Sequence, residues 1–308
     1  MRRDWLSLKT TPWSLGLLLT GILLLIQTTT LPWRVDSWLY DKAITAWPAP
    51  VDNNVALVTI DEHSLDVLGH WPWDRSLHAR LIDRLTEAGA QTIVFDILFP
   101  EPTLSDQNLA DAMARHGRVV LPIHYSPATN QLLISEQLPS APLEAAALAL
   151  GHAHVELDED GVARGLYLYN SLGHYRWPAL AVAAQEQPGP SITQQDAPAY
   201  TNVRSEFRLV PLAGGADTLP AYAYADVLHQ PAAPELFAGK TVFIGATAAG
   251  FRDVLSTPFS GLSRPMSGVE FHANVYSASR QSLLISRAPQ WLSLTLALGI
   301  LLILANTL

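Results

Sequence analysis

Three hydrophobic patterns divide this chain. The first is an uncharged run: no residue between Lys9 and Arg34 carries a charge, and LGLLLTGILLLIQ fills the centre of the stretch. At 1.5 Å per residue, about 20 residues cross a bilayer core, so the run predicts a transmembrane helix over 13–33. Trp5, Trp13, Trp33 and Trp38 flank it, where interfacial aromatics belong. A cleaved signal peptide needs a shorter apolar core and a small-residue cleavage site, which QTTTLPWR lacks. A second uncharged run, APQWLSLTLALGILLILANTL, follows Arg287 and predicts another transmembrane helix over 288–308. No charge closes it, and the chain is expected to be the front part of a longer protein.

Between the two runs a second pattern alternates continuous apolar stretches with helical spacing. VALVTI (55–60) is β-branched throughout and predicts a buried strand of a parallel sheet. Asp74 is placed as a helix N-cap, with Leu77, Leu81, Ile82 and Leu85 on one face and Gly89 as the stop. TIVFDILF (92–99) predicts the next strand, with Asp96 in mid-run and Phe99 closing it. A second cap at Asp106 opens a helix with Leu109, Ala110 and Met113 inward, ending at Gly117, before a third strand, VVLPIHY (119–125). This βαβαβ order predicts an α/β fold, a mainly parallel sheet flanked by helices, with right-handed crossovers.

The third pattern is a strict alternation. HAHVELDEDGVARGLYLYN (152–170) alternates about the turn Asp158–Gly161 and predicts an inserted β-hairpin region. A short helix over 179–184 and a Pro/Gln/Ser-rich loop over 185–198 follow. FRLVPL (207–212) and KTVFIGA (240–246) read as strands, 222–229 as a short helix between them, and 268–281 as a helix leading toward the second span. No internal repeat is seen, and one domain is expected over 34–287.

Composition sharpens this division. Of 308 residues, 49% are hydrophobic and 15% charged, with a mean hydropathy of +0.16. That average describes an acidic α/β domain diluted by two apolar ends. Arg2, Arg3 and Lys9 precede the first span and favour a cytoplasmic N-terminus over 1–12, leaving 34–287 outside the cytoplasm. The net charge of -9 argues against a nucleic-acid partner and against an anionic lipid surface as the domain's docking face. The absence of Cys removes disulfides, thiolate zinc sites and cysteine nucleophiles.

Several motifs fail on inspection. Gly239-Lys240-Thr241 precedes a strand and has Pro234 where a phosphate-binding loop needs Gly. Gly245–Gly250 follows a strand, but Phe251-Arg252 stands in place of Lys-Ser/Thr, so a structural turn is the default and a ligand-facing turn the alternative. Glu156, Asp158, Asp160 and Gly161 imitate the start of a calcium loop whose last ligand position is Tyr167. Asp61 and Asp96 are more informative. On adjacent predicted strands, they could face each other and hold a hard divalent cation, or one could pair with Arg75; capping turns is the plainer role. His152 and His154 share one strand face and are expected in solvent. Trp71-Pro72-Trp73 is read as a packed corner, with a pocket lip as the alternative.

Taken together, IDEHSLDVLGHWPWDRSLHARLIDRL, GAQTIVFDILFPEP, GKTVFIGATAAGFRDVLSTPFSG and PMSGVEFHANV resemble the CHASE type-2 extracytoplasmic sensor domain of bacterial membrane receptors. The resemblance implies a sensory input module in the inner membrane, with no enzyme activity within these residues. Further spans would lead to a cytoplasmic output such as a histidine kinase or nucleotide cyclase. Family-typical polar positions fall on Asp61, Arg75, Asp96, Asp253 and His272, the candidate ligand-binding residues. The signal is expected to be a small molecule or an environmental change, with no cofactor, and the receptor to act as a homodimer. Two rival readings are a membrane-tethered metal-dependent hydrolase using Asp61 and Asp96, and a non-catalytic interaction scaffold.

Overall fold

The computed structural model of this protein describes residues 20–21, 25–127, 134–172, 175–185, 193–194, 202–231, 233–261, 264–289, 292, 295 and 299. The chain divides into two units, one of residues 1–43 with 287–308 and one of Ile44–Ser286. Helix α1 (Leu31–Ala46) begins in the first unit. Among the described residues no helix is long and apolar enough to cross a membrane. Of the predicted span over 13–33, residues 13–19 and 22–24 lie outside the described residues, and most of the span over 288–308 does.

In the second unit the chain forms β1 (Val55–Ile60), α2 (Glu62–Leu68), α3 (Arg75–Glu87), β2 (Thr92–Asp96), α4 (Asp106–His116) and β3 (Val119–Pro127). It continues through β4 (Ile134–Gln137), α5 (Ala141–Ala146), β5 (Ala149–His152), β6 (Gly165–Leu172), β7 (Tyr175–Pro178), α6 (Leu180–Ala183), β8 (Thr193–Gln194) and β9 (Asn202–Leu209). The last stretch comprises β10 (Ala221–Ala223), α7 (Tyr224–His229), α8 (Pro234–Phe237), β11 (Thr241–Ala246), β12 (Val254–Leu255), β13 (Met266–Ser267), α9 (Gly268–Arg280) and β14 (Ile285–Ser286).

Every side chain of β1 is buried, as a strand covered on both faces requires. It lies in a seven-stranded sheet of order β10-β1-β11-β2-β3-β4, with β5 also paired to β3. All these pairings are parallel except that of β3 with β4. The sheet is therefore the mainly parallel one read from the sequence, with one difference in strand order. β11 sits between β1 and β2, placing Thr241 opposite both Val55 and Thr92. The strands carrying Asp61 and Asp96 are thus not neighbours. Apolar runs identify strands, but nothing local in them encodes which strand lies beside which.

Alternate positions of the strands serve opposite faces. Ala56, Val58, Ile60, Ile93, Phe95, Val242 and Ile244 join one apolar cluster with Leu81, Ile82 and Leu85 of α3, Leu109 and Met113 of α4, and Tyr224 of α7. Leu81, Ile82 and Leu85 are all at 0% exposure, and each such burial stabilises the fold by about 1.5–3 kcal/mol. On the other face Phe243 meets Tyr276 of α9 with ring centroids 5.6 Å apart.

Helix starts follow from short polar side chains. Asp74 caps α3, its carboxylate accepting from the Ser76 N–H at 2.9 Å. Asp61 does the same for α2, accepting from the Ser64 N–H at 2.9 Å. Asp106, expected as a cap, is instead the first residue of α4, and Ser105 occupies the cap position. The Asp106 carboxylate turns back to accept from the Thr103 N–H at 3.1 Å, the Thr103 hydroxyl at 2.8 Å and the Ser140 hydroxyl at 2.6 Å.

The predicted hairpin over 152–170 resolves differently. Its turn is present: the Gly161 N–H donates to the Asp158 carbonyl at 2.8 Å, and Gly161 takes φ 76, a backbone conformation natural to glycine. Its arms diverge, however. β5 joins the main sheet, whereas β6 enters a five-stranded antiparallel sheet of order β14-β9-β6-β7-β8. The long-range partner β9 outcompetes local pairing, because β6 and β9 zip along nearly their whole length. Two acidic residues of the turn pair with Arg164, 4% exposed, which donates to Asp158 at 2.9 Å and to Asp160 at 2.7 Å.

Candidate functional site

Strand β2 ends at Asp96 rather than at Phe99, so this carboxylate stands at the carboxyl end of a parallel strand, where ligands of open α/β sheets bind. It borders a cleft of about 340 Å³ that also takes in His124, His154, Asp253, Gly268 and His272.

Asp253 reaches the cleft by a chain of local geometry. Arg252 adopts the left-handed conformation (φ 55) after the turn Ala249–Phe251, and the short antiparallel pair β12–β13 then sets Val254 opposite Ser267. This puts Asp253 against the first turn of α9, where the Gly268 N–H donates to the Asp253 carbonyl at 3.2 Å. Glycine lets the carboxylate lie close there: a Cβ on Gly268 would stand 2.7 Å from both Asp253 carboxylate oxygens and push that side chain aside. His272 lies one turn further along α9, on the same face as Gly268, and is 2% exposed.

The electrostatics are those of charges short of partners. Among the described residues no hydrogen bond or ion pair reaches the Asp96 carboxylate, and burial pushes its pKa up to about 7. Partial burial, reinforced by the negative charge of Asp96 and opposed by His272, pushes Asp253 up to about 6. Burial holds His272 down to about 4, against the opposite pull of Asp253 and of the Ala153 backbone. The Nδ1 of His272 has no hydrogen-bond partner.

Behind this histidine stands another. His152, expected in solvent, is 1% exposed, because β5, paired only with β3, is covered by α6 and β7 and all four of its residues are buried. Neither of its ring nitrogens has a hydrogen-bond partner, and burial, with His272 and His154 close by, lowers its pKa to about 3. Paired acids raised toward neutrality and imidazoles held neutral at one cleft form the kind of perturbed cluster that marks functional sites.

Of the five sequence candidates, Asp96, Asp253 and His272 come together here, and two lie elsewhere. Asp61 is committed to capping α2. Arg75 lies with its Nε 3.4 Å from Asp106 and its guanidinium 4.4 Å from the centre of the Phe99 ring. The expected facing of Asp61 and Asp96 is not formed: β11 separates their strands, so two inter-strand steps, about 10 Å, lie between them. Among the described residues no three His, Cys, Asp or Glu side chains are gathered so as to hold a metal ion. The Trp71-Pro72-Trp73 segment is a packed corner: Trp73 is buried against Tyr224 at 4.9 Å, and Trp71 meets Phe251 at 5.6 Å. His124 and His154 were not singled out for the cleft from the sequence. Their signal was position, at and beyond the carboxyl ends of β3 and β5, hidden among ten scattered histidines.

An open cleft at the carboxyl ends of parallel strands is where open α/β sheets hold ligands. The family follows from the sequence: the profile of the CHASE2 domain matches residues 16–306, and the chain belongs to that family. CHASE2 domains are sensory domains of signalling receptors and are not themselves catalytic. No curated protein and no solved structure matches the chain.

Proposed function

We propose that this chain is the extracytoplasmic sensory input module of a bacterial membrane receptor, with its sensing site in the cleft between the end of β2 and the start of α9. One observation carries the reading: Asp96, Asp253 and His272, far apart in sequence, line a single cleft, and the last two belong to α9 and its approach. A ligand seated there acts on the first turn of α9, and the chain beyond α9 leads in sequence to the apolar run over 288–308. In this reading the runs over 13–33 and 288–308 are the membrane spans, and a histidine kinase or nucleotide cyclase is the output. The receptor works as a homodimer in the inner membrane. Signalling requires a ligand that binds two conformations of the domain with different affinity. Asp61 and Arg75 support the fold around the site, Asp61 by capping α2 and Arg75 by its contacts with Asp106 and Phe99.

The test is the signalling output of the receptor carrying Asp96→Ala or Asp253→Ala. A change in basal or stimulated output is expected from each, and unchanged output from both overturns the reading. Alkaline phosphatase fused after Arg287 is expected to be active only if that residue lies outside the cytoplasm. An inactive fusion that is nonetheless present in the membrane fraction overturns the topology.

A further inference from the structure

Resting on the sensing reading above, the groups that line the cleft define the chemistry of what it holds. Two carboxylates, Asp96 and Asp253, face it, and no Lys or Arg does. His272, 2% exposed, adds an imidazole whose Nδ1 has no partner. A neutral imidazole has one acceptor nitrogen, and Nδ1, without a partner, is the one open to that role. The cleft thus sets two carboxylates and three imidazoles, those of His124, His154 and His272, around one space, and its negative charge has no permanent cation beside it. Leu98, Leu157 and Leu255 supply apolar wall. At about 340 Å³ the space suits a small organic molecule. Among the described residues no three metal-ligating side chains are gathered at one point as a metal ion needs.

We propose that the cleft binds a small organic cation, a protonated primary amine on a short apolar body, with the ammonium between Asp96 and Asp253 and one N–H donated to His272 Nδ1. The ammonium supplies three donors and the missing positive charge, and the body covers the leucine wall. The net charge of -9 draws such a cation toward the domain at long range. Seating the ammonium against Asp253 also links the ligand to the N-terminus of α9 through Gly268.

Calorimetric titration of the purified 308-residue chain tests this. The probes are isopentylamine, putrescine and phenethylamine, with isopentanol as the uncharged match and MgCl2 and ZnCl2 as metal controls. At least one amine is expected to bind above pH 7, isopentanol is not, and binding is expected to fall by about 10-fold or more in Asp96→Asn and in Asp253→Asn. Asp96→Asn removes an unpartnered charge, so its folding is not at risk, and a thermal melt confirms it. Binding of isopentanol as tight as that of the amine overturns the proposal, as does binding of Zn²⁺ or Mg²⁺ with none of the amines. Silence from all amines also overturns it. If both Asn variants still alter receptor output, the sensing cleft stands and only the ligand class is wrong; if neither does, both readings fall.

Discussion

Two aspartates in this domain have opposite relations to stability. Asp106 is buried, and burial alone would raise its pKa. Hydrogen bonds from Ser140 and Thr103, with the nearby charge of Arg75, outweigh that and hold it below the ordinary value. A carboxyl lowered on folding stabilises above its unfolded pKa near 3.8, and that contribution is lost as pH falls through the lower folded value. Asp106→Asn is expected to cost about 2–4 kcal/mol at neutral pH in urea denaturation, because it leaves Arg75 and the hydroxyl donors without their anion. Asp96 behaves in reverse. Its folded pKa of about 7 lies above the unfolded 3.8, so its contribution is full below about pH 4 and is lost as pH rises through 7. Asp96→Asn is expected to stabilise the protein by about 2 kcal/mol at pH 8, a gain that shrinks toward zero as pH falls to 4. A residue whose neutral replacement improves the fold is retained for something other than folding.

At the scale of elements, two glycines on either side of one contact separate packing from function. Gly245 of β11 sits under α9, and a Cβ there would meet the Cβ of Val269 at 2.6 Å. Gly245→Ala is expected to destabilise by about 1–3 kcal/mol, since a central strand and its covering helix would both have to shift. Gly268→Ala meets only the movable carboxylate of Asp253, so the thermal midpoint is expected to change little while amine binding weakens. Equal loss of both properties in the two variants would contradict this division. The elements also show what was readable in advance. Helices α3, α4 and α9 announced themselves because apolar spacing and caps are local. Helix α2 did not, because the seven residues EHSLDVL are too few for a period to emerge; of the two roles read for Asp61, the plainer one of a cap is the one formed. The position of β11 and the divergence of β5 from β6 depend on distant partners, which no window of sequence contains. Asp96 stands out from its strand alone, whereas Asp253 and His272 come only from family likeness. Their convergence is a product of strand order and of the β12–β13 pair.

For the whole molecule, three buried histidines set the response to acid. Burial lowers His78 and His152 to about 3 and His272 to about 4, against 6.5 when exposed. The folded protein excludes protons that the unfolded chain takes up, so stability from these groups is full above pH 6.5 and is lost as pH falls toward 4. Asp96 and Asp253 bind protons in the folded state over the same range and oppose the loss. Removing that opposition with Asp96→Asn is expected to steepen the fall in stability between pH 6 and 4 by about 0.6 kcal/mol per pH unit. Denaturant midpoints measured across that range provide the check.

The insertion of β11 between β1 and β2 has a consequence for how the chain is made. A ribosome delivers β1, β2 and β3 early, yet the strand that joins β1 to β2 is at Thr241–Ala246, near the end of the domain. Until it emerges, the first two strands have unfilled edges facing one another across a vacant lane, open to the wrong neighbour. The sheet, the Gly245 contact with α9 and the cleft beyond Asp96 can therefore close only when synthesis of the domain is nearly done. The sensing site is assembled last, and a nascent chain stopped before that strand has no site at all.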